Sequence, residues 1–174
     1  MNKGRFKSQA LLSEQALLAC MSYVDLNPVR ANISTSLEDS NYTSIQQRIK
    51  QLENKPAEAK GSVIPLAPFI AASQIDNGIP FALKDYLELT DWTGRCVRKD
   101  KRGYIKPGTP AILQKLNIDE ATWIETVDAF TEQFHSFVGS EKQLTKICKK
   151  QNKKWLGGIN ICRKLFSVPN LCPS

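Results

Sequence analysis

The sequence predicts a mainly α-helical protein in two pieces, and three observations support this class. Apolar residues recur at spacings of three and four in the segments that follow Ser13 and Asn117. Two strings with the capping-box pattern, at Asn117 and Ser140, mark helix starts. Helix-ending residues follow these segments at Pro28, at Gly139 and after residue 156.

The first elements are an extended segment and a helix. Residues 5–12 alternate loosely between apolar and polar, which predicts a strand or an extended lead-in. Ser13 is a good N-cap for a helix that runs to about Asn27, where Pro28 ends the hydrogen-bond ladder. The apolar residues that define this helix are Leu17, Leu18, Met21, Val24 and Leu26. A second, polar helix is expected near residues 41–54.

The later elements follow a segment rich in proline and glycine, residues 55–80, which predicts a linker. A short helix near residues 80–89, a basic loop at 95–108 and a helix after Thr109 come next. The strongest helix signal extends from the Asn117-x-x-Glu120 box to Gly139. Its apolar residues are Trp123, Val127, Phe130, Phe134 and Phe137. The Ser140-x-x-Gln143 box opens a helix through about residue 156, and residues 160–166 form a last turn.

Residue counts exclude several classes of function. The chain has 174 residues and a single histidine, His135, so no mechanism can draw two histidines from it. Its five cysteines include no Cys-x-x-Cys pair, which argues against a disulfide framework and a structural zinc site. P-loop, dinucleotide-binding, zinc-protease and serine-hydrolase motifs are absent. No apolar run reaches the length of a membrane span, and we expect a cytoplasmic protein.

The charge favours an anionic partner. The net charge is +7 and the isoelectric point is about 9.2. Residues 91–106 carry six basic and two acidic side chains, and residues 141–174 carry eight and one. These two basic blocks are candidate contacts for DNA phosphates, with Tyr104 able to stack on a base, but solvated basic surfaces are the competing interpretation. The candidate residues are Arg95, Arg98, Lys99, Lys101, Arg102, Tyr104, Lys106, Lys146, Lys149, Lys150 and Lys153.

Tyr23 and Asn27 lie four residues apart on the first predicted helix, so their side chains share a face. A phenol beside an amide oxygen is compatible with a nucleophile next to a metal ligand. A half-buried tyrosine that serves only packing fits the same spacing, and from spacing alone it is the commoner case. His135, with no second histidine, is expected to be packed or at the solvent edge.

A family resemblance changes that balance. Two strings, Gly4-Arg5-Phe6-Lys7-Ser8-Gln9-Ala10-Leu11-Leu12 and Tyr23-Val24-Asp25-Leu26-Asn27-Pro28-Val29-Arg30-Ala31, resemble the end of the catalytic domain of REP-associated tyrosine transposases, which are single-tyrosine HUH transposases. Later strings resemble the C-terminal extension of one branch of that family. These are Asp85-Tyr86-Leu87-Glu88-Leu89, Asp91-Trp92-Thr93-Gly94-Arg95, Asp100-Lys101-Arg102-Gly103 and Cys162-Arg163-Lys164-Leu165-Phe166.

The resemblance implies a chemistry for the tyrosine. In these enzymes a tyrosine attacks a phosphate of single-stranded DNA beside a hairpin and forms a 5′-phosphotyrosine. Mg²⁺ or Mn²⁺, held by two histidines of an HUH strand and a side chain one turn past the tyrosine, polarises the phosphate. By position, Tyr23 is then the nucleophile and Asn27 the third metal ligand.

The resemblance also implies what this chain lacks. The HUH strand and most of the ferredoxin-like α+β sheet precede this region in the family. We therefore expect a C-terminal part of a transposase: residues 1–54 as a remnant of the catalytic domain, 55–80 as a linker and 81–174 as a helical extension. On this view the chain binds single-stranded or hairpin DNA in the nucleoid, holds no metal and does not cleave DNA alone.

Two other functions remain open at this stage. One is a non-catalytic helical DNA-binding or regulatory module, and the other is a helical interaction protein that meets no DNA. The first thirty residues pose a packing problem, because the strand near Phe6 has lost its partners and the face with Leu17, Met21 and Val24 has lost its cover. Either that face packs on the extension, or the first thirty residues are partly disordered, or the chain associates with a second copy as a homodimer.

Overall fold

A computed structural model of the chain describes residues 8–53, 66–70, 78–97, 108–154 and 156–166. Within these residues the fold is mainly α, as the sequence predicts, with one pair of two-residue strands. The elements in chain order are β1 (Ala10–Leu11), α1 (Glu14–Asp25), α2 (Asn27–Arg30), α3 (Ser44–Leu52), α4 (Leu83–Val97), α5 (Ala111–Lys115), α6 (Glu120–Asp128), α7 (Phe130–Gln133), β2 (Phe137–Val138), α8 (Glu141–Lys150) and α9 (Ile159–Leu165).

The chain divides into two units. One consists of Met1–Cys20 together with Lys115–Ser174, and the other consists of Met21–Gln114. In the sequence, the second unit is therefore inserted between the two segments of the first. The division into 1–54, 55–80 and 81–174 concerns the family relationship of the segments, and it stays a prediction.

In the first unit, the strand that was expected to lack partners has one. β1 pairs in parallel with β2, with Ala10 opposite Phe137 and Leu11 opposite Val138. The backbone amide of Ala10 donates to the carbonyl of Ser136 at 2.9 Å, and that of Leu12 donates to the carbonyl of Val138 at 2.8 Å. The prediction of an unpaired strand is thus wrong for residues 10–11, while Phe6 lies outside the described residues.

The long helix expected between Asn117 and Gly139 is three elements, α6, α7 and β2. Asn117 has a φ of 51° and is not the cap; the N-cap is Asp119, whose carboxylate accepts from the amide of Thr122 at 2.9 Å. Gly139 follows strand β2, so it is not a helix C′ residue. Four of the five apolar residues predicted here, Trp123, Val127, Phe130 and Phe134, are nevertheless core residues with exposed fractions of 1% or less, whereas Phe137 is only half-buried.

The capping box at Ser140 is confirmed. The amide of Gln143 donates to the Ser140 hydroxyl at 3.4 Å, and the Gln143 side-chain oxygen accepts from the Ser140 amide at 2.9 Å. The Gln143 side-chain nitrogen also donates to the carbonyl of Leu12, which attaches the start of α8 to the end of β1. α8 ends at Lys150, six residues before the predicted end at Leu156.

α1 begins as predicted but buries a different face. The Ser13 hydroxyl accepts from the amide of Ala16 at 3.2 Å, which confirms the N-cap. Val24, expected in the apolar face, is 56% exposed, whereas Ser22 and Asp25 are almost fully buried. The apolar spacing therefore predicted the wrong buried face of α1, because two of the buried positions hold the polar side chains of Ser22 and Asp25.

The second unit contains α2, α3 and α4 around the end of α1. Thr43 caps α3 through a bond from the amide of Gln46 at 3.3 Å, close to the predicted start of the polar helix. α4 extends to Val97, well past the predicted end near Leu89. Gly94 permits a close approach between α4 and the segment before α2, since a Cβ added there would lie 2.9 Å from the Cδ2 atom of Leu26.

Candidate nucleophile segment and nucleic-acid interface

A buried carboxylate lies in the middle of the string that resembles the transposases. Asp25 is 2% exposed, and its Oδ2 accepts from the phenol of Tyr86 on α4 at 2.6 Å. Its Oδ1 accepts from the Ser44 hydroxyl at 2.9 Å and from the Ile45 amide at 3.4 Å, both on α3. Asp25 therefore joins the end of α1 to two other helices of the same unit.

Arg48 on α3 extends this polar cluster. Its guanidinium lies 4.6 Å from the centre of the Phe69 ring and donates to the carbonyl of Ala67 at 2.9 Å. Burial lowers the pKa of Arg48, and the charges of Asp25 and Tyr86 act in the opposite direction. Asp25, Ser44, Arg48 and Tyr86 were not predicted as a cluster. The one signal in the sequence was an acidic residue within the apolar part of a helix.

We call residues 23–30 the nucleophile segment, after the role that the resemblance implies for Tyr23, and it contains both residues that the resemblance singles out. Tyr23 is half-buried near the end of α1, and the Arg30 guanidinium carbon lies 4.7 Å from the centre of its ring. Asn27 is exposed and is the first residue of α2. The two residues are thus on consecutive helices, not on one, but Leu26 between them has helical dihedral angles and keeps them one turn apart along the chain.

The nucleophile segment does not by itself offer a divalent-metal site. Mg²⁺ and Mn²⁺ bind oxygen ligands, mainly carboxylates, and Asn27 supplies a single amide oxygen. The carboxylate of Asp25 is buried and already accepts from Tyr86, Ser44 and Ile45. In the described part of the chain no group of three or more histidine, cysteine or acidic residues is placed to hold a metal ion. The residues present therefore do not fit the metal that the resemblance implies.

Of the predicted basic loop, residues 95–108, the structure describes residues 95–97 and Gly108. Arg95 lies on α4 and not in a loop, and its guanidinium forms an exposed ion pair with Asp91, one turn earlier, at 2.5 Å. The remaining residues predicted here lie outside the described residues. They are Arg98, Lys99, Lys101, Arg102, Tyr104 and Lys106.

Three of the four lysines predicted here, Lys146, Lys149 and Lys150, are exposed on α8. We define the lysine surface as the exposed residues Lys142, Lys146, Lys149 and Lys150. Leu144 and Cys148 are buried on the other side of the helix. Lys153 is exposed too, but it follows the end of the helix.

The acidic residue at the start of α8 is paired. Arg163 on α9 donates to the Glu141 carboxylate at 2.6 Å, and this bond lowers the pKa of Glu141. A shallow depression beside this pair is lined by Glu141, Lys142, Thr145, Lys146 and Lys149. The Glu141 carboxylate next to the lysine surface is therefore already neutralised by Arg163.

The remaining candidates have structural surroundings. His135 is exposed in the first unit and its ring lies close to the backbone of Gly157, which agrees with the expected solvent-edge position. Burial raises the pKa of the Cys20 and Cys162 thiols, which disfavours the reactive thiolate.

Of the helices in the described ranges, none combines the length and the apolar character needed to cross a bilayer.

Comparison with known proteins adds one partial likeness. No family model and no solved structure matches the chain. Over 70 residues, 40% of the chain, the sequence is 30% identical to a glutamyl-tRNA(Gln) amidotransferase subunit from a Nitratiruptor species. The matched segment covers 15% of that protein. A likeness of this extent does not show the family of the chain.

Proposed function

We propose that the chain is a C-terminal part of a REP-associated tyrosine transposase and that it binds single-stranded or hairpin DNA. It acts in DNA transposition, keeps the helix with the nucleophilic Tyr23, and lacks the paired histidines. The observation that carries DNA binding is the lysine surface of α8. Four exposed ammonium groups on one ten-residue helix are suited to neutralising the regularly spaced phosphates of a nucleic acid.

The contact between Asp25 and Tyr86 supports the family assignment. Asp25 belongs to the string that resembles the end of the catalytic domain, and Tyr86 belongs to a string that resembles the extension. The 2.6 Å bond between them is buried, so the two strings pack in one unit. This is the arrangement expected if both strings come from the same ancestral protein.

The alternative function is a non-catalytic helical DNA-binding or regulatory module. The lysine surface serves it equally well, and the single histidine of the chain favours it over cleavage by this polypeptide alone. The two proposals share DNA binding and differ only in descent and in the use of Tyr23.

DNA binding is tested by fluorescence anisotropy with labelled single-stranded and hairpin DNA across a salt series. We expect the logarithm of affinity to fall linearly with the logarithm of salt. The double variant Lys146→Gln/Lys149→Gln should bind more weakly and lower the single-strand slope by about 0.7 for each phosphate that is no longer neutralised.

The matched control is the double variant Lys50→Gln/Lys84→Gln, which removes the same charge from the second unit. It should retain most of the affinity. Equal losses in the two double variants would assign binding to net charge and would contradict a lysine surface on α8. Absence of binding at low salt would favour an interaction protein that meets no DNA.

A further inference from the structure

Arg30 is held beside the tyrosine that the resemblance makes the nucleophile. Its guanidinium carbon is 4.7 Å from the centre of the Tyr23 ring, within the range of a cation–π contact. Arg30 is the last residue of α2 and Tyr23 lies near the end of α1, so the contact spans the break between the helices. It therefore fixes a cation close to the phenol.

The spacing places three polar side chains along one side of this segment. Asn27 follows Tyr23 by four residues and precedes Arg30 by three, the spacings that put side chains on one face of a helix. Asn27 is exposed, and Tyr23 and Arg30 are half-buried. The acidic residue of the same segment, Asp25, is buried and accepts from Tyr86 and Ser44. The face thus presents a phenol, an amide and a guanidinium.

These groups match the chemistry of a phosphodiester. A guanidinium is a planar donor that binds two phosphate oxygens at once, which an ammonium group cannot do. An aromatic ring beneath the guanidinium restricts its rotamers, so less conformational freedom is lost when the phosphate binds. The amide of Asn27 adds a donor one turn from the phenol.

We propose that Arg30 binds a phosphate of single-stranded DNA next to Tyr23, and that the Tyr23 ring positions the Arg30 guanidinium for this contact. The inference rests on the proposed function, because the ligand is DNA. It adds a site in the second unit to the lysine surface in the first. Arg30 is then a residue that selects the phosphodiester presented to the phenol.

The test measures the affinity of the full chain for a labelled single-stranded oligonucleotide across a salt series. Arg30→Ala should lower the affinity about tenfold, as expected when a charged hydrogen bond is removed, and reduce the salt slope by about 0.7. Arg30→Lys should recover the slope but only part of the affinity, because it restores the charge without the planar donor. Lys84→Ala, which removes one charge elsewhere in the same unit, serves as the control.

The part played by Tyr23 is tested with a double-mutant cycle. Tyr23→Leu removes the ring and should weaken binding more than Tyr23→Phe, which keeps it. The affinity of the variant with both Arg30→Ala and Tyr23→Leu should equal that of Arg30→Ala alone, because the ring acts through the arginine. Additive losses in this cycle would contradict the proposal, as would an Arg30→Ala variant with the parent affinity and slope.

The outcomes separate the two proposals. If the parent chain fails to bind DNA at low salt, the proposed function fails and the inference fails with it. If binding depends on Lys146 and Lys149 but not on Arg30, the proposed function stands and only the inference is overturned. Urea unfolding of each variant, measured in parallel, identifies a decrease in affinity that comes from loss of the fold.

Discussion

The Asp25 carboxylate is buried, where a charge without partners would destabilise the fold. Donors from two helices form hydrogen bonds to it. A buried carboxylate requires hydrogen bonds to most of its lone pairs. Tyr86, Ser44 and the Ile45 amide supply them at 2.6, 2.9 and 3.4 Å. Because these donors belong to α3 and α4, the end of α1 is fixed relative to both helices.

The Tyr86 phenol gives this cluster a pH dependence at high pH. Burial raises the pKa of Tyr86 well above its ordinary value, and the adjacent charge of Asp25 raises it further. The unfolded chain releases this proton near pH 10, whereas the folded chain retains it. The stabilising contribution is therefore complete below about pH 10 and is lost as the pH rises from there toward the folded pKa.

We expect the free energy of unfolding of the parent chain to fall faster above pH 10 than that of Tyr86→Phe, by up to about 1.4 kcal/mol per pH unit. Urea unfolding at several values from about pH 9 to pH 11 measures both curves. Other titrating groups are common to the two proteins and cancel in the difference. Parallel curves would show that Tyr86 does not remain protonated in the folded state.

Among the described non-glycine residues with left-handed backbone, Tyr42 is the exception. Asn32, Asn117 and Asn152 have φ values of 55°, 51° and 51°, and asparagine tolerates this region. Tyr42 has a φ of 66° and is fully exposed, so no packing of its ring offsets the backbone strain.

Replacing Tyr42 with asparagine should therefore stabilise the chain, by about 0.5–1 kcal/mol. The midpoint of urea unfolding measures this change. Asn32→Tyr is the reciprocal variant and should destabilise by a similar amount. A decrease in stability in Tyr42→Asn would mean that the tyrosine ring makes a contribution that offsets the strain.

At the scale of elements, the start of a helix was predicted correctly where the predicted cap residue forms its hydrogen bonds, and incorrectly where another residue is the cap. Ser140 and Gln143 form both bonds of their box, so the start of α8 was correct. At Asn117 the same pattern failed because Asn117 has left-handed backbone, whereas Asp119, two residues later, has the extended dihedral angles of an N-cap and a carboxylate that accepts from the Thr122 amide. Phe134 and Phe137 kept the helical spacing by coincidence, since they lie after α7 and in β2.

Gln143 connects two elements, and its substitution distinguishes their contributions. Gln143→Glu keeps the acceptor of the capping box but places a carboxylate against the Leu12 carbonyl, whereas Gln143→Ala removes both bonds. We expect Gln143→Glu to lose about 1 kcal/mol of unfolding free energy and Gln143→Ala, which loses both bonds, about twice as much. Urea unfolding measures the loss, and Ser140→Ala, which removes only the cap, is the control. A Gln143→Glu variant with parent stability would show that the bond to Leu12 contributes nothing.

At the scale of the molecule, the sequence predicted the helical class but not the arrangement into units. Helix starts are encoded locally, and the alternation of residues 5–12 predicted an extended segment, but its pairing with Phe137 was not predictable because the spacing of Phe137 indicated a helix. For the candidate site, Tyr23 and Asn27 could be found from their string, whereas Arg30 was identified only from its contact with the Tyr23 ring. The cluster around Asp25 could not, because its donors come from helices distant in sequence.

The parallel pair of β1 and β2 has a consequence for synthesis on the ribosome. Ala10 and Leu11 are translated before their partners Phe137 and Val138. At about 5–20 residues per second, the wait is on the order of ten seconds. The contiguous segment Met21–Gln114 is complete before then and is able to fold first. The first unit cannot complete this pairing until Phe137 and Val138 are synthesised, whereas every residue of the second unit is already present by then.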